Sequence, residues 1–407
     1  MTSRHPESTR HPELSRRALL TGAAATVTAV ATSQVVAGRS ASAASANGTL
    51  VHVFLSGGLD GLSLVAPVDD PVLRKSRPNL RLTDRTALAL DREFQLTSAF
   101  APLERHLKDG HLAFIPGASD TRLSRSHFQA VDACNLGGLP SETGGRGWLD
   151  RLADHLGPGT AFRSVGIGGT LPRSLVGTNG ALSLGSVEGL KLNGDPRFAA
   201  ASIKAIEGLF SDINHPVERS MKAVVGALGV PPAPSEPAAG VTYEGIGVAF
   251  RQVAELIKGG ANVRIAAITS GGWDTHEDQG TADGGYLHGR LSDLAEGLAA
   301  FFADLGDKAS GVTVMVSSEF GRRVAANGSG TDHGHGGVVA LLSGRKLAGS
   351  VLGRWDGLGQ LDGGDVPEYN NLFNVYGSVA QSQFGLTDAQ VRKVFPKRQY
   401  APMKLFA

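Results

Sequence analysis

Apolar residues along this chain fall into two patterns. Short, β-branched runs stop abruptly at glycine or polar clusters: Leu50 to Leu55 (LVHVFL), His111 to Ile115 (HLAFI), Val263 to Thr269 (VRIAAIT) and Val312 to Ser317 (VTVMVS). Such runs read as buried strands. Between the last two, Leu287 to Leu305 places Leu291, Leu294, Leu298, Phe301, Phe302 and Leu305 three to four residues apart, which predicts an amphipathic helix. Further helices are predicted near Leu96 to Leu107, from Ser126 through Ala133 with Ser126 and Gln129 at capping-box spacing, and from about Tyr243 to Lys258, closed by Gly259-Gly260. Strand, helix, strand describes a parallel α/β sheet, whose ligands bind beyond the carboxyl ends of the strands.

The residues that follow each run are therefore the ones to read for chemistry. LVHVFL leads into Ser56-Gly57-Gly58-Leu59-Asp60-Gly61, where glycines leave room for a ligand to approach Asp60. HLAFI leads through Gly117 to Asp120 into Ser124-Arg125-Ser126-His127-Phe128. Gly272-Trp273-Asp274-Thr275-His276 follows the third run and Ser318-Glu319-Phe320-Gly321-Arg322 the fourth, and Thr331-Asp332-His333-Gly334-His335-Gly336 packs a carboxylate and two imidazoles among glycines. Carboxylate and imidazole together suit a divalent cation. Zinc fits best, with manganese, iron or calcium following as oxygen ligands increase, and the set could hold one ion or two. Each cluster alone also reads as an ordinary surface loop or helix cap; their recurrence at successive strand ends is what points to metal.

Ser126 reads either as the N-cap of its helix or as a hydroxyl nucleophile held where free backbone N–H groups favour an anion, and Ser124 is the other candidate hydroxyl. His127 beside them caps or lines the pocket. His52 and His111 fall in strands and His288 on a helix face, so they read as structural or solvated. Arg125, Arg146, Arg173, Arg322 and Arg323 lie near strand exits, where an arginine can grip an anionic oxygen or simply pair with an aspartate. Arg322, three residues past Glu319, is the best placed of them.

With 407 residues, 55 of them glycine and only 19% charged, the chain suits one large loop-rich α/β domain better than a coiled coil, a helical repeat or a disordered tail. The first 46 residues stand apart: Ser15-Arg16-Arg17-Ala18-Leu19-Leu20 opens a mildly apolar run to about Val36, followed by small residues up to Ala46. This looks like a twin-arginine export signal, with an uncleaved anchor as the alternative. Export implies the twin-arginine translocase as a transient partner, no stable membrane insertion after cleavage, and a periplasmic, cell-wall or extracellular destination. Those 46 residues carry five Arg and two Glu, so the formal charge of +1 becomes −2 for residues 47–407, which removes any global argument for nucleic-acid binding. A lone Cys134 forms no internal disulfide. Residues 140–245 show little periodicity and read as an insertion or cap over the site in an otherwise single domain. Their Gly166-Ile167-Gly168-Gly169 lacks phosphate-loop spacing.

The twin-arginine start and the motifs around Asp60, Ser124 to Phe128, Asp274 to His276, Glu319 to Arg322 and Asp332 to Gly336 together resemble the exported bacterial family DUF1501, a domain of unknown function. That family looks like a branch of the alkaline phosphatase and sulfatase superfamily. The resemblance implies a three-layer α/β sandwich with a mixed, mostly parallel sheet. It also implies metal ligands at Asp60, Asp274, His276, Glu319 and His335, with His335 just before the apolar run Val338 to Leu342, and a nucleophile at Ser124 or Ser126. Phe320 departs from the pattern by standing where an imidazole is usual, so His333 replaces that ligand or one metal is lost. No Cys-x-Pro-x-Arg segment is present, which argues against a formylglycine sulfatase. The expected activity is metal-dependent hydrolysis of a phosphate or sulfate ester, the substrate being a small or polymeric anionic ester. The rival is a non-catalytic metal-binding protein on the same fold, and isomerase or group-transfer chemistry is a third course.

Overall fold

A computed structural model describes residues 48–83, 87–91, 93–190, 195–212 and 216–407. The export-signal reading of residues 1–46 lies outside the described residues.

The apolar runs are strands, and they pair as buried parallel strands do. Strand β1 (Thr49–Leu55) is followed by a small three-stranded sheet of β2 (Val65–Pro67), β3 (Ala87–Ala89) and β4 (Phe94–Thr97). The main sheet takes β1 with β5 (Leu112–Ser119), β6 (Ser164–Ile167), β7 (Leu182–Leu184), β8 (Ile265–Ser270), β9 (Val312–Ser317), β12 (Gly337–Ser343) and β13 (Asn370–Asn371), in the order β13-β5-β12-β9-β1-β8-β6-β7. A separate hairpin, β10 (Arg322–Ala326) and β11 (Thr331–His333), joins β9 to β12. Only β12 runs against its neighbours, pairing antiparallel with both β9 and β5. The sheet is mixed and mostly parallel.

Alternation along β1 divides the core. Val51, Val53 and Leu55 pack in the layer of Phe250, Leu291, Leu298 and Phe301, from the helices Gly247–Lys258 and Tyr286–Leu305. Leu50 and Phe54 point the other way, into the layer of Trp148, Leu372, Tyr376 and Val379, which includes the helix Leu372–Phe384. Helices on both faces of one sheet make a three-layer α/β sandwich. His52 belongs to the second layer: it is buried, lies edge-on to Trp148 and Tyr376, and bonds Ser317 Oγ at 2.9 Å.

Three expectations change. Residues 140–245 are not wholly an insertion, because Ser164–Ile167 and Leu182–Leu184 extend the main sheet beyond β8. Four- and three-residue strands are too short to show a period. The helix expected at Leu96 to Leu107 begins instead as β4, turns through a 3-10 segment at Ser98–Leu103 and is helical only at Glu104–Lys108. Pro102 inside that segment cannot donate to a helical ladder. The helix after Ser126 runs His127–Leu136, but Ser126 makes no side-chain cap bond, so the Ser126/Gln129 capping box does not form.

Candidate metal centre

At the carboxyl edge of the sheet, the loop after β8 turns back toward the loop after β1. Gly57 makes this possible: its φ is +135°, and a Cβ there would stand 2.4 Å from the Asp274 nitrogen. Only glycine accepts both that dihedral and that contact. Arg322, at the start of β10 and fully buried, locks the loops together. Its guanidinium donates to the carbonyls of Gly58 (2.6 Å), Gly57, Thr331 (2.8 Å) and Trp273, and to Asp274 Oδ1 at 2.6 Å.

Asp274 is the hub. Burial opposes its charge, but the hydrogen bond and charge of Arg322, with His276 and His127 nearby, hold its carboxyl below the usual range. Three imidazoles turn Nε2 toward it: His276 at 3.2 Å and His333 at 3.4 Å from Oδ1, and His127 at 3.3 Å from Oδ2. The opposite nitrogens face oxygen. His127 Nδ1 lies 2.7 Å from Glu319 Oε1, His333 Nδ1 lies 2.9 Å from the Arg125 carbonyl, and His276 Nδ1 faces Asp332 Oδ1 at 3.5 Å. A carbonyl or carboxylate oxygen can only accept, so Nδ1 of His127 and of His333 carries a proton, and in the neutral ring Nε2 keeps its lone pair. Burial, then the charge of Arg322, lowers the His333 pKa and favours this neutral form.

Two observations test the fit to a cation. His127 Nε2 is buried and makes no hydrogen bond, its one polar neighbour in the cluster being Asp274 Oδ2 at 3.3 Å. His276 Nε2 and His333 Nε2 stand 2.9 Å apart, close enough for a proton on either ring to bridge them or for both to reach one cation. Ligand atoms of His127, Asp274 and His333 lie within 4.8 Å of one another, the separation of groups that can share one ion. Imidazole fixed by a carboxylate behind it, as His127 is by Glu319, is the usual setting of a metal-binding histidine. The residues fit.

The remaining sequence candidates lie elsewhere. Asp60 is buried against Arg77, which donates to Oδ1 at 2.8 Å and Oδ2 at 2.6 Å, and Oδ2 also accepts from Ser63 (2.6 Å) and Gln279 (2.7 Å). Both oxygens are engaged by these donors, and Asp60 is not among the residues whose ligand atoms lie within 4.8 Å of one another. Glu319 serves from behind: its carboxylate accepts from His127, the Gly57 nitrogen and Ser318 Oγ. His335 turns away from Asp274, its Nδ1 lying 3.3 Å from Asp362 and 3.4 Å from Asp365, where Arg125 and Arg323 also converge. Arg322 is consumed by carbonyls and Asp274, so it orients the hub instead of presenting to an anion. Ser124 Oγ accepts from the Ser126 nitrogen at 3.0 Å, while the exposed Ser126 hydroxyl caps nothing. Phe320 lies against the rings of His127 and His333, with centroids 4.9 Å and 4.7 Å apart.

Sequence reading placed His127 beside the hydroxyls and missed it as a donor facing Asp274, since it comes from β5, on the far side of β12 and β9. Its neighbour Ser126 offered the only hint. Asp365 carried no motif, though Asp362-Gly363-Gly364-Asp365 has the form of a tight turn and pairs with itself across 362 and 365.

Residues 253–375 match the family described as "Protein of unknown function (DUF1501)". The matched stretch holds Asp274, His276, Glu319, Arg322, His333 and His335; His127 precedes it. No curated protein matches the chain. Among solved structures, it is similar to the PsFucS1 sulfatase from Pseudoalteromonas sp., at 12% identity and TM-score 0.36, covering 84% of this chain and 68% of that one. It is also similar to the lipoteichoic acid synthase LtaP from Listeria monocytogenes, at 8% identity and TM-score 0.26, covering 84% and 73%. A TAB5 alkaline phosphatase mutant with Mg bound in its M3 site matches at 10% identity and TM-score 0.31, covering 86% and 98%. At such distances the chemistry must be read from this chain's own residues. No helix among the described residues is long and apolar enough to cross a membrane.

Proposed function

We propose that this chain holds one divalent cation through His127, Asp274 and His333, with His276 as a fourth donor, and hydrolyses a phosphate or sulfate ester outside the cytoplasm. The observation that carries the reading is the convergence of three Nε2 atoms on Asp274, with Nδ1 of two of those rings held by oxygen acceptors. Zinc suits this donor set best. When bound, the cation supplies Lewis-acid stabilisation of charge building on the ester oxygens.

The chain's own residues supply the rest. Arg322 fixes Asp274, and Glu319 fixes His127. The helix His127–Leu136 begins beside the cluster with no side-chain cap, so its first N–H groups and dipole favour an anionic group there. Ser126, at that N-cap, has the uncommitted hydroxyl and is the better nucleophile; Ser124 Oγ already serves the Ser126 nitrogen. The Ser126 oxygen displaces the alcohol at phosphorus or sulfur, and water then hydrolyses the serine ester, returning the hydroxyl and releasing the anion. Export through the twin-arginine translocase rests on Ser15 to Leu20 and delivers the folded protein to this substrate.

Full engagement of Arg322 favours a second reading, a metal-binding protein without turnover, because the arginine best placed to hold the transferring group is not free. A panel of aryl and sugar phosphate and sulfate esters, assayed with metal-loaded protein and with Ser126→Ala, separates the two. Turnover lost in Ser126→Ala with metal retained supports the hydrolase; absence of turnover across the panel with one metal bound supports the binding protein.

A further inference from the structure

A buried carboxylate stands behind the metal ligands, and no motif announces it. Asp365 closes the turn Asp362-Gly363-Gly364-Asp365, whose two ends exchange backbone hydrogen bonds of 3.0 Å in both directions. The central residues have φ of +58° and +98°, which is why glycines fill them. Backbone bonds tie the turn to its surroundings: the Val324 nitrogen, in β10, donates to the Gly364 carbonyl at 3.1 Å, and the Gly336 nitrogen to the Val366 carbonyl at 2.8 Å. Asp365 is therefore a fixed point, with its side chain only 1% exposed.

Three basic side chains reach it from segments that build the metal centre. Arg125 Nη1 donates to Oδ2 at 3.0 Å, Arg323 Nε lies 3.4 Å from Oδ1, and His335 Nδ1 lies 3.4 Å from Oδ2. Arg323 follows Arg322, which grips Asp274, and His335 is two residues past His333. Arg125 is joined more directly, because its own carbonyl faces His333 Nδ1 at 2.9 Å. Among the described residues Arg125 takes part in no backbone–backbone hydrogen bond, lying just before the helix His127–Leu136. No ladder fixes the direction of its carbonyl. The side-chain bond to Asp365 does so, and charge-assisted bonds of this kind are about twice as strong as neutral ones.

We infer that Asp365 is a positioning residue: acting through Arg125, it sets the orientation of the His333 ring and so the direction of Nε2. This deepens the metal-binding reading and rests on it only for the ion, since the hold on His333 does not require metal. The partner behind a metal-binding imidazole fixes its ring and tautomer. For His127 that partner is Glu319 itself. For His333 it is a loop carbonyl, which needs an anchor of its own. Asp362 faces His335 at 3.3 Å and is half-exposed, so it serves as the control.

The test uses the full chain with 15N-labelled histidine, first without metal and then titrated with zinc. The His333 Nδ1–H signal, assigned by its loss in His333→Gln, reports the bond to Arg125. Its exchange with water should quicken about tenfold, the loss of one hydrogen bond, in Asp365→Asn and in Arg125→Ala, which keeps the carbonyl and frees it. Asp362→Asn should leave the signal unchanged. Zinc affinity should fall about tenfold in the first two variants, and no further in the double variant, because both act on one carbonyl. An unchanged His333 signal in both variants, fully additive losses of affinity, or an equal response to Asp362→Asn would each overturn the assignment. The expected His333 response in a chain that takes up no zinc would instead contradict the metal reading and leave the role of Asp365 standing.

Discussion

Asp60 and Asp274 leave the neighbouring strands β1 and β8, each within a few residues of glycines, and each meets a buried arginine. The outcomes differ because the arginines dock differently. Arg77 lies across Asp60 and occupies both oxygens, with its other nitrogens on the carbonyls of Val324 and Arg323; Ser63 and Gln279 complete the shell. Arg322 takes one oxygen of Asp274 and spends the rest of its fork on carbonyls, leaving a half-exposed carboxylate in front of three imidazoles. A guanidinium that saturates a carboxylate makes a buried structural pair, whereas one that grips it from the side makes a ligand with fixed orientation. The two are joined: Gln279, which donates to Asp60, also accepts from Thr275 and Thr331, the neighbours of Asp274 and Asp332.

The comparison is broken most severely by Arg77→Ala. Removing one partner of a buried pair strands the other charge, so the variant should lose about 3–5 kcal/mol of stability, measured by denaturant unfolding. The fraction that folds should keep its metal. Burial alone would raise the Asp60 carboxyl, but Arg77, Ser63 and Gln279 hold it below the usual range, so the pair's contribution is complete above the unfolded pKa and fades as acid protonates Asp60.

Asp274→Ala reverses the pattern. It should fold nearly as well as the metal-free protein and lose the added stability that metal confers, about 2.7 kcal/mol at a hundredfold excess over Kd, read as a metal-dependent shift in unfolding midpoint that the variant lacks. Glu319→Gln sharpens the comparison further, because Glu319 touches His127 and no ion. Metal affinity should fall about 10- to 100-fold with stoichiometry unchanged when metal is saturating, as isothermal titration would show.

The effect that is smallest near neutral pH calibrates the background. His52, in the strand that leads to Asp60, has its pKa lowered by burial to about 3. The folded protein keeps it neutral while the unfolded chain protonates it below about pH 6.5, so stability falls as pH drops from 6.5 toward 3, with a limiting slope of about 1.4 kcal/mol per pH unit. His52→Asn should remove one proton's worth of that slope in unfolding free energies measured at pH 5 to 7.

Legibility followed the physics. Strands buried on both faces, such as VTVMVS, announce themselves as apolar runs, and strand ends carry their chemistry at once, so Asp274, His276, Glu319 and His333 could be gathered from sequence. Partner choice could not. Nothing in the sequence around Arg77, the C-cap of the helix Pro71–Ser76, says that it will reach Asp60, and nothing near His335 says that a turn at Asp362 and Asp365 will claim it. His127 arrives from a different strand across the antiparallel β12, a juxtaposition set by topology alone. Ser164–Ile167 stayed illegible because four residues, one of them Gly166, are too few to carry a period.

The central claim is that one cation binds at Asp274 and none at Asp60. Elemental analysis of the purified protein beside Asp274→Ala and Asp60→Asn tests it most directly. About one equivalent of a single divalent metal in the native chain and in Asp60→Asn, lost in Asp274→Ala, is the predicted result; two equivalents, or metal lost with Asp60 and kept without Asp274, would contradict it.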